Sequence, residues 1–283
     1  MVRDLAFPIA SIVDILSATE RRTSYERPLL RILDLMNSRL GPILEEVLEE
    51  IPNPRLEAVG SMGLLPIMAT TIGSTAVGAV ASYQHPRSFH GVSEASSKDI
   101  DLLVVDLSLG EDAARVRNGY LRACSVLGKA SVIVEMRSDE FDGTKKEEIK
   151  DALARSTNAM FFGHGRSDLA MAGESGLVIG NNLVLSSEEI SVLNLSNCET
   201  LTLVACASGR QNPYVGPISS AHAAALAGAS QVVSTLWPIR AQVGSRFASD
   251  LLQSVENGGS LEEFVSQGFV SDARASSPFC IMR

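Results

Sequence analysis

The sequence has few of the residues that mark several large classes of protein. Its four cysteines are scattered and form no C-x-x-C pair, which favours reduced thiols and a cytoplasmic location over a disulfide framework. The formal net charge is −9 and no extended run of lysine or arginine stands out, so we expect no nucleic-acid partner. Neither G-x-x-x-x-G-K-[ST] nor G-x-G-x-x-G is present, so the sequence has neither of these glycine-rich loops that bind the phosphates of nucleotides.

Signals for membranes and metals are also weak. The long uncharged stretch 58–84 contains several glycines and Pro66, so buried strands with turns are a better interpretation than a spanning helix. Asp4 and Asp14 interrupt the N-terminal residues, which therefore do not resemble a secretory signal. The histidine and cysteine spacings match no common zinc pattern. We therefore predict no membrane partner, no metal and no cofactor.

Apolar runs alternating with helical patterns dominate the second half of the chain. The 283 residues are 45% hydrophobic, enough for a sizeable core. "IDLLVVDLS" has the pattern of a buried strand, and "EDAARVRNGYLRACSVLG" that of a helix. Repeated strand–helix alternation predicts an α/β fold with a mostly parallel sheet covered on both faces. The amphipathic pattern from Tyr25 to Ile51 predicts an N-terminal helical extension over residues 1–50, followed by one domain over 51–283.

Two predicted strands end in the same way. "AMFFGHG" ends in a histidine, His164, between two glycines, and "LTLVACASG" ends in a cysteine, Cys206, followed by small residues. If the strands are neighbours, the imidazole and the thiol meet at one edge of the sheet, where the imidazole can take the thiol proton. The N–H groups of Gly165 and Cys206 can then stabilise an oxyanion. The alternative is a buried structural cysteine and an ordinary loop histidine.

From about Ile51 to Asp250 the chain resembles the CHAT domain, a family in the caspase–separase group of cysteine peptidases. The stretches that carry the resemblance are "FFGHG", "ESGLVIGNNLVLSSEEI", "LTLVACASG" and "AGASQVVSTLWPI". The histidine precedes the cysteine by roughly forty residues, close to the caspase-type spacing. The resemblance implies a caspase-like α/β/α sandwich and a peptidase that needs no metal. It implies His164 as general acid/base, Cys206 as nucleophile, and the N–H groups of Gly165 and Cys206 as the oxyanion hole.

The substrate pocket is less well defined by the sequence. After "LWP" many members of the family carry an acidic residue, whereas this chain has Ile239-Arg240-Ala241. Arg240 either binds an acidic P1 side chain through its guanidinium or begins a surface helix. Asp168 and Glu174 follow the histidine and either line a pocket for a basic P1 side chain or are solvated. Trp237 lies either at the rim of the groove or in the core. These alternatives stay open.

The leading hypothesis is a cysteine endopeptidase that cleaves a specific protein partner. The family resemblance implies a defence or cell-death pathway, with control by a regulatory protein or by homodimerisation. A second hypothesis is a catalytically silent adaptor that binds protein partners through the same groove. A third is another thiol hydrolase or acyltransferase that uses the same histidine and cysteine.

Overall fold

The computed structural model describes residues 100–166, 175–209, 219–235 and 238–259, together with residues 34, 37–38, 40–46 and 264 and several short strands. Contacts divide the chain into two compact units. One comprises Met1–Pro86 and Ser266–Pro278, and the other Arg87–Val265 and Phe279–Arg283. The predicted division at residues 50 and 51 stays a prediction. Among the described residues, no helix is long and apolar enough to span a membrane.

The described part of the first unit consists of short elements. Residues 40–46 are helical, in agreement with the amphipathic pattern there, and the helix continues through Gly41 and Pro42. The strands are β1 (Arg55–Glu57), β2 (Thr71–Ile72), β3 (Thr75–Ala76) and β4 (Ser82–Gln84). Strand β1 pairs in parallel with β4, and β2 pairs antiparallel with β3.

The described part of the second unit alternates strands with helices, as the sequence predicts. In chain order the elements are β5 (Leu102–Asp106), a 3-10 turn (Leu107–Leu109), α1 (Glu111–Val126), β6 (Val132–Met136), α2 (Thr144–Arg155), β7 (Asn158–Phe162), β8 (His164–Arg166), β9 (Gly176–Gly180), β10 (Leu183–Ser186), α3 (Ser187–Ser191), β11 (Thr200–Val204), α4 (Ser220–Leu226), β12 (Gln231–Thr235), α5 (Ala241–Glu256) and β13 (Phe279–Met282).

The main sheet has the strand order β13-β12-β11-β7-β5-β6. Strands β12, β11, β7, β5 and β6 are parallel to one another, and β13 joins the edge antiparallel to β12. Every residue of β5, β7, β11 and β12 is buried, as expected for parallel strands that are covered on both faces. The prediction of a mostly parallel sheet flanked by helices is confirmed.

Side chains of the central strands alternate between two apolar layers. Leu102 and Val104 of β5 belong to one core cluster with residues of α2, α3 and α4, including Ile149 of α2. Leu103 and Val105 are also fully buried and point to the opposite face, where α1 and α5 pack together. The two layers give the α/β/α sandwich its core.

A smaller sheet of order β10-β9-β8 begins directly after β7. Strands β9 and β10 form a hairpin, with Asn182 in its turn at φ 58°. The N-cap residue of α3 is Ser186, which forms a reciprocal capping box with Glu189. Helix α2 begins at Thr144, whose N–H and hydroxyl groups both donate to the Asp142 carboxylate.

Candidate active site

The segments that carry the predicted histidine and cysteine run side by side. Strands β7 and β11 are parallel neighbours, with Phe162 opposite Val204. The Gly163 N–H group donates to the Val204 carbonyl oxygen at 3.2 Å, which extends this ladder beyond the end of β7. A Cβ atom built on Gly165 would overlap the carbonyl oxygen of Cys206 and lie 3.0 Å from its amide nitrogen. His164 and Cys206 therefore emerge at one edge of the sheet.

The two reactive side chains are accessible to solvent. The His164 side chain is 49% exposed, and Cys206 is partly exposed, whereas Cys124 and Cys198 are buried. Burial raises the pKa of the Cys198 thiol to about 12 and also raises the pKa of Cys124. Both buried thiols are thereby kept protonated. Among the cysteines with described side chains, Cys206 is the one that solvent reaches.

A tight turn presents Cys206 at the end of β11. Ala207 adopts φ 51°, a left-handed conformation that is uncommon for a residue with a Cβ atom. The buried Ser208 hydroxyl donates to the Leu203 carbonyl at 3.3 Å and accepts the Thr235 N–H group at 3.1 Å. The Thr235 hydroxyl in turn donates to the Ala205 carbonyl. These bonds attach the turn to the end of the neighbouring strand β12.

The thiol lies against the segment that leads into α5. Cys206 Sγ donates to the carbonyl oxygen of Ile239 at 3.5 Å. Arg240 follows directly; it is the exposed N-cap residue of α5. Arg240, a predicted pocket residue, is thus adjacent in the chain to Ile239, whose carbonyl oxygen accepts the hydrogen bond from the thiol. The other predicted pocket residues, Trp237, Asp168 and Glu174, lie outside the described residues.

A buried carboxylate beside the histidine was not anticipated. Asp106, the last residue of β5, is fully buried, and its Oδ2 atom lies 3.9 Å from His164 Nε2. The strand order explains the proximity, because β5 lies next to β7 on the side away from β11. The sequence held one signal for it, an aspartate at the end of the otherwise apolar run "LLVVD".

The model of the CHAT domain family matches residues 86–269, more than half of the chain. The chain belongs to the CHAT domain family. No curated protein gives a significant match to this CHAT chain.

Two structures of Saccharomyces cerevisiae separase in complex with securin resemble the CHAT chain. One has a TM-score of 0.55 at 16% identity and covers 96% of this chain and 20% of the separase chain. The other has a TM-score of 0.51 at 16% identity and covers 80% and 15%. The Arg-specific cysteine proteinase gingipain R (RgpB) gives a TM-score of 0.47 at 12% identity over 71% of this chain and 53% of its own. The CHAT chain thus spans a fifth or less of the separase chains, and at this identity the separase likeness establishes a shared caspase-like fold.

Proposed function

We propose that this CHAT protein is a cysteine endopeptidase in which His164 and Cys206 form the catalytic dyad. The observation that supports this most directly is the close approach of Gly165 to the Cys206 backbone, because it brings the histidine and cysteine segments together at one edge of the sheet. The exposure of both side chains supports the same proposal. Ligands of parallel α/β sheets bind at this edge, beyond the carboxyl ends of the strands.

The chemistry proceeds by acyl transfer through a thioester. His164 takes the thiol proton of Cys206, and the thiolate attacks the carbonyl carbon of the scissile peptide bond. The N–H groups of Gly165 and Cys206 stabilise the oxyanion, by about 3–4 kcal/mol for each donor. When the tetrahedral intermediate collapses, the C–N bond breaks and His164 gives its proton to the leaving amine. A water molecule, deprotonated by His164, then hydrolyses the thioester and restores the thiol.

The substrate is a specific protein partner, and Arg240 contributes to the choice of its P1 side chain. Arg240 is exposed and follows the residue whose carbonyl the thiol contacts, a position from which a guanidinium can reach a P1 carboxylate. We propose that the reaction belongs to a cytoplasmic defence or cell-death pathway, and membership of the CHAT family supports this. A regulatory protein or a second copy of the chain controls it.

Cleavage assays test the proposal. The candidate substrates are a fluorogenic peptide library with varied P1 residues and the proteins encoded nearby in the genome. Cys206→Ala and His164→Ala should each lower kcat/KM by about 10³-fold or more, because the two residues act as a unit. Cys124→Ala is the matched control, since that thiol is buried in α1. It should cleave like the wild-type protein.

Two results would contradict the proposal. Undiminished cleavage by Cys206→Ala would exclude the thiol as nucleophile. A wild-type protein that binds a partner but cuts neither peptides nor that partner, with the biological effect kept in Cys206→Ala, would establish the adaptor function. Equal rates for acidic and neutral P1 residues would remove the role of Arg240 and leave the dyad intact.

A further inference from the structure

The carboxylate of Asp106 is held in one orientation by three hydrogen bonds to a single oxygen. Its Oδ1 atom accepts the N–H group of Ser108 at 3.0 Å, the Ser108 hydroxyl at 2.7 Å and the N–H group of Ser138 at 3.0 Å. The hydroxyl groups of Ser108 and Ser138 lie 2.7 Å apart and also hydrogen-bond to each other. With Oδ1 fully engaged, the direction of Oδ2 is fixed.

The second oxygen of this carboxylate is buried without a hydrogen-bond partner among the described residues. Asp106 is 0% exposed, and Oδ2 is one of the few buried side-chain oxygens that make no hydrogen bond there. Leaving a buried charged oxygen unpaired is costly, so such an atom in a folded protein needs an explanation. The group that faces it is the imidazole of His164, with Nε2 at 3.9 Å. This distance is an ion-pair distance, and a shift of about 1 Å would make it a hydrogen bond.

We propose that Asp106 is a positioning residue for His164: its Oδ2 atom accepts the Nε2–H group and leaves Nδ1 to exchange a proton with Cys206. The inference rests on the proposed dyad. When the Sγ–H bond breaks, the proton moves to Nδ1, which produces a thiolate and an imidazolium ion. The imidazolium then lies between two negative groups, the Cys206 thiolate and the Asp106 carboxylate. Asp106 itself does not gain a proton.

Other charged groups lie farther out on the surrounding segments. Arg137 follows β6, and its pKa is raised mainly by its hydrogen bond to Asp139, with a further small contribution from Asp106. Its guanidinium makes salt bridges to Asp139 and Glu140 at the surface. Arg240 precedes α5 near the thiol. Among the described residues, the group that faces the buried oxygen of Asp106 is therefore the imidazole of His164.

The size of the effect follows from the charge separation. A carboxylate 3.9 Å from the ring favours the imidazolium–thiolate pair over the neutral pair by roughly ten- to a thousandfold, depending on the local dielectric. Since half of the His164 side chain is exposed to water, screening places the effect near the lower limit. We therefore expect about a tenfold loss of the ion pair when the charge of Asp106 is removed.

Iodoacetamide alkylates the thiolate form of Cys206, so the alkylation rate measures the fraction of thiolate without requiring a substrate. We would follow this rate from pH 4 to pH 10 by peptide mass spectrometry. In the wild-type protein we expect a plateau of reactivity at neutral pH, due to the ion pair, that His164→Ala abolishes. Asp106→Asn should lower this plateau by about tenfold. The matched control is Asp101→Asn, because Asp101 is at the opposite end of β5 and its carboxylate also accepts two backbone N–H groups, those of Thr157 and Asn158.

Labelling of Cys198 in the same samples reports whether a variant is folded, because this thiol is 1% exposed in the native protein. If Asp106→Asn does not fold, the histidine ring nitrogens of the wild-type protein can be observed by NMR. Neutral His164 with its proton on Nε2 supports the inference, and a proton on Nδ1 overturns it.

The outcomes separate this inference from the proposed function. A plateau that His164→Ala abolishes but Asp106→Asn leaves unchanged refutes the role of Asp106 and keeps the dyad. A Cys206 reactivity that neither variant changes refutes both. An alkylation profile that responds to both residues, in a protein that cleaves nothing, keeps the positioning role and removes the peptidase.

Discussion

Replacing Gly165 with alanine tests whether the histidine and cysteine segments meet as closely as the structure indicates. The added methyl group would overlap the carbonyl oxygen of Cys206 and lie 3.0 Å from its nitrogen and 3.1 Å from its carbonyl carbon. All three obstructing atoms belong to the backbone, so no side-chain rotation can relieve the overlap. The two segments have to separate, by on the order of 1 Å, at the edge that carries the proposed dyad.

The size of the effect can be worked out for both stability and reactivity. Overpacking of this kind costs about 1–3 kcal/mol. For a domain of this size, this corresponds to a fall in Tm of roughly 3–10 °C. A displacement of 1 Å at a catalytic group lowers a reaction rate by about 10²-fold. Differential scanning fluorimetry and the alkylation rate of Cys206 measure the two consequences independently.

A glycine-to-alanine change at Gly143 provides the matched control. A Cβ atom there lies 3.7 Å from the nearest atom, a ring carbon of Phe141, and the residue has φ −63°, which alanine adopts readily. We expect its stability to stay within about 0.5 kcal/mol of the wild type. The prediction is wrong if Gly165→Ala has the same Tm as Gly143→Ala and its Cys206 is alkylated at the wild-type rate. The Gly165 segment would then not approach the Cys206 backbone as closely as the structure indicates.

Three further predictions concern the elements around the site. Ser208→Ala leaves the buried Thr235 N–H group without its acceptor and should cost about 1–3 kcal/mol in urea denaturation; a loss below about 0.3 kcal/mol would contradict this. Ser186→Ala removes the capping box of α3 and should cost about 1 kcal/mol with an unchanged m-value, whereas an unaffected midpoint would show that the cap is dispensable. Because the pKa of Cys198 rises from 9.0 to about 12 on folding, its contribution to stability is complete below pH 9 and is lost as the pH rises towards 12, by up to about 1.4 kcal/mol per pH unit. In Cys198→Ala the free energy of unfolding should therefore fall less steeply above pH 9 than in the wild-type protein. An equally steep fall in both proteins would show that folding does not raise the pKa of Cys198.

The sequence was sufficient to predict the repeated strand–helix alternation. Each central strand is buried on both faces, so "LLVVD" and "TLTLV" are continuous apolar runs, while the helices keep a polar face and a helical period. The strand ends were less predictable. "NAMFFGHG" looks like one strand, but β7 ends at Phe162 and His164 begins a strand of the smaller sheet. A Cβ atom at the intervening Gly163 would lie 3.0 Å from both Met136 and Phe161, so the change of sheet depends on tertiary packing.

The surroundings of the candidate site could be predicted only in part. The adjacency of the His164 and Cys206 segments followed from a pattern, two apolar strands that each end in a reactive side chain. The proximity of Asp106 depends on the strand order β11-β7-β5, which periodicity does not determine. The contact of the thiol with Ile239 involves a carbonyl oxygen, and every residue has one, so it leaves no mark in the sequence.

In the proposed mechanism, the contacts of Cys206 and His164 differ in how strongly they oppose proton transfer. A thiol is a weak donor, and its hydrogen bond to the Ile239 carbonyl at 3.5 Å contributes no more than about 1 kcal/mol. Releasing it costs less than the roughly 3–4 kcal/mol that one oxyanion donor supplies in the transition state, so this contact can delay the reaction without preventing it. If Asp106 positions His164 as proposed, their pairing need not be released, because it becomes stronger when the imidazolium forms. In the proposed mechanism the thiol therefore has to release the Ile239 carbonyl, in the segment that leads into α5, before its proton can be transferred.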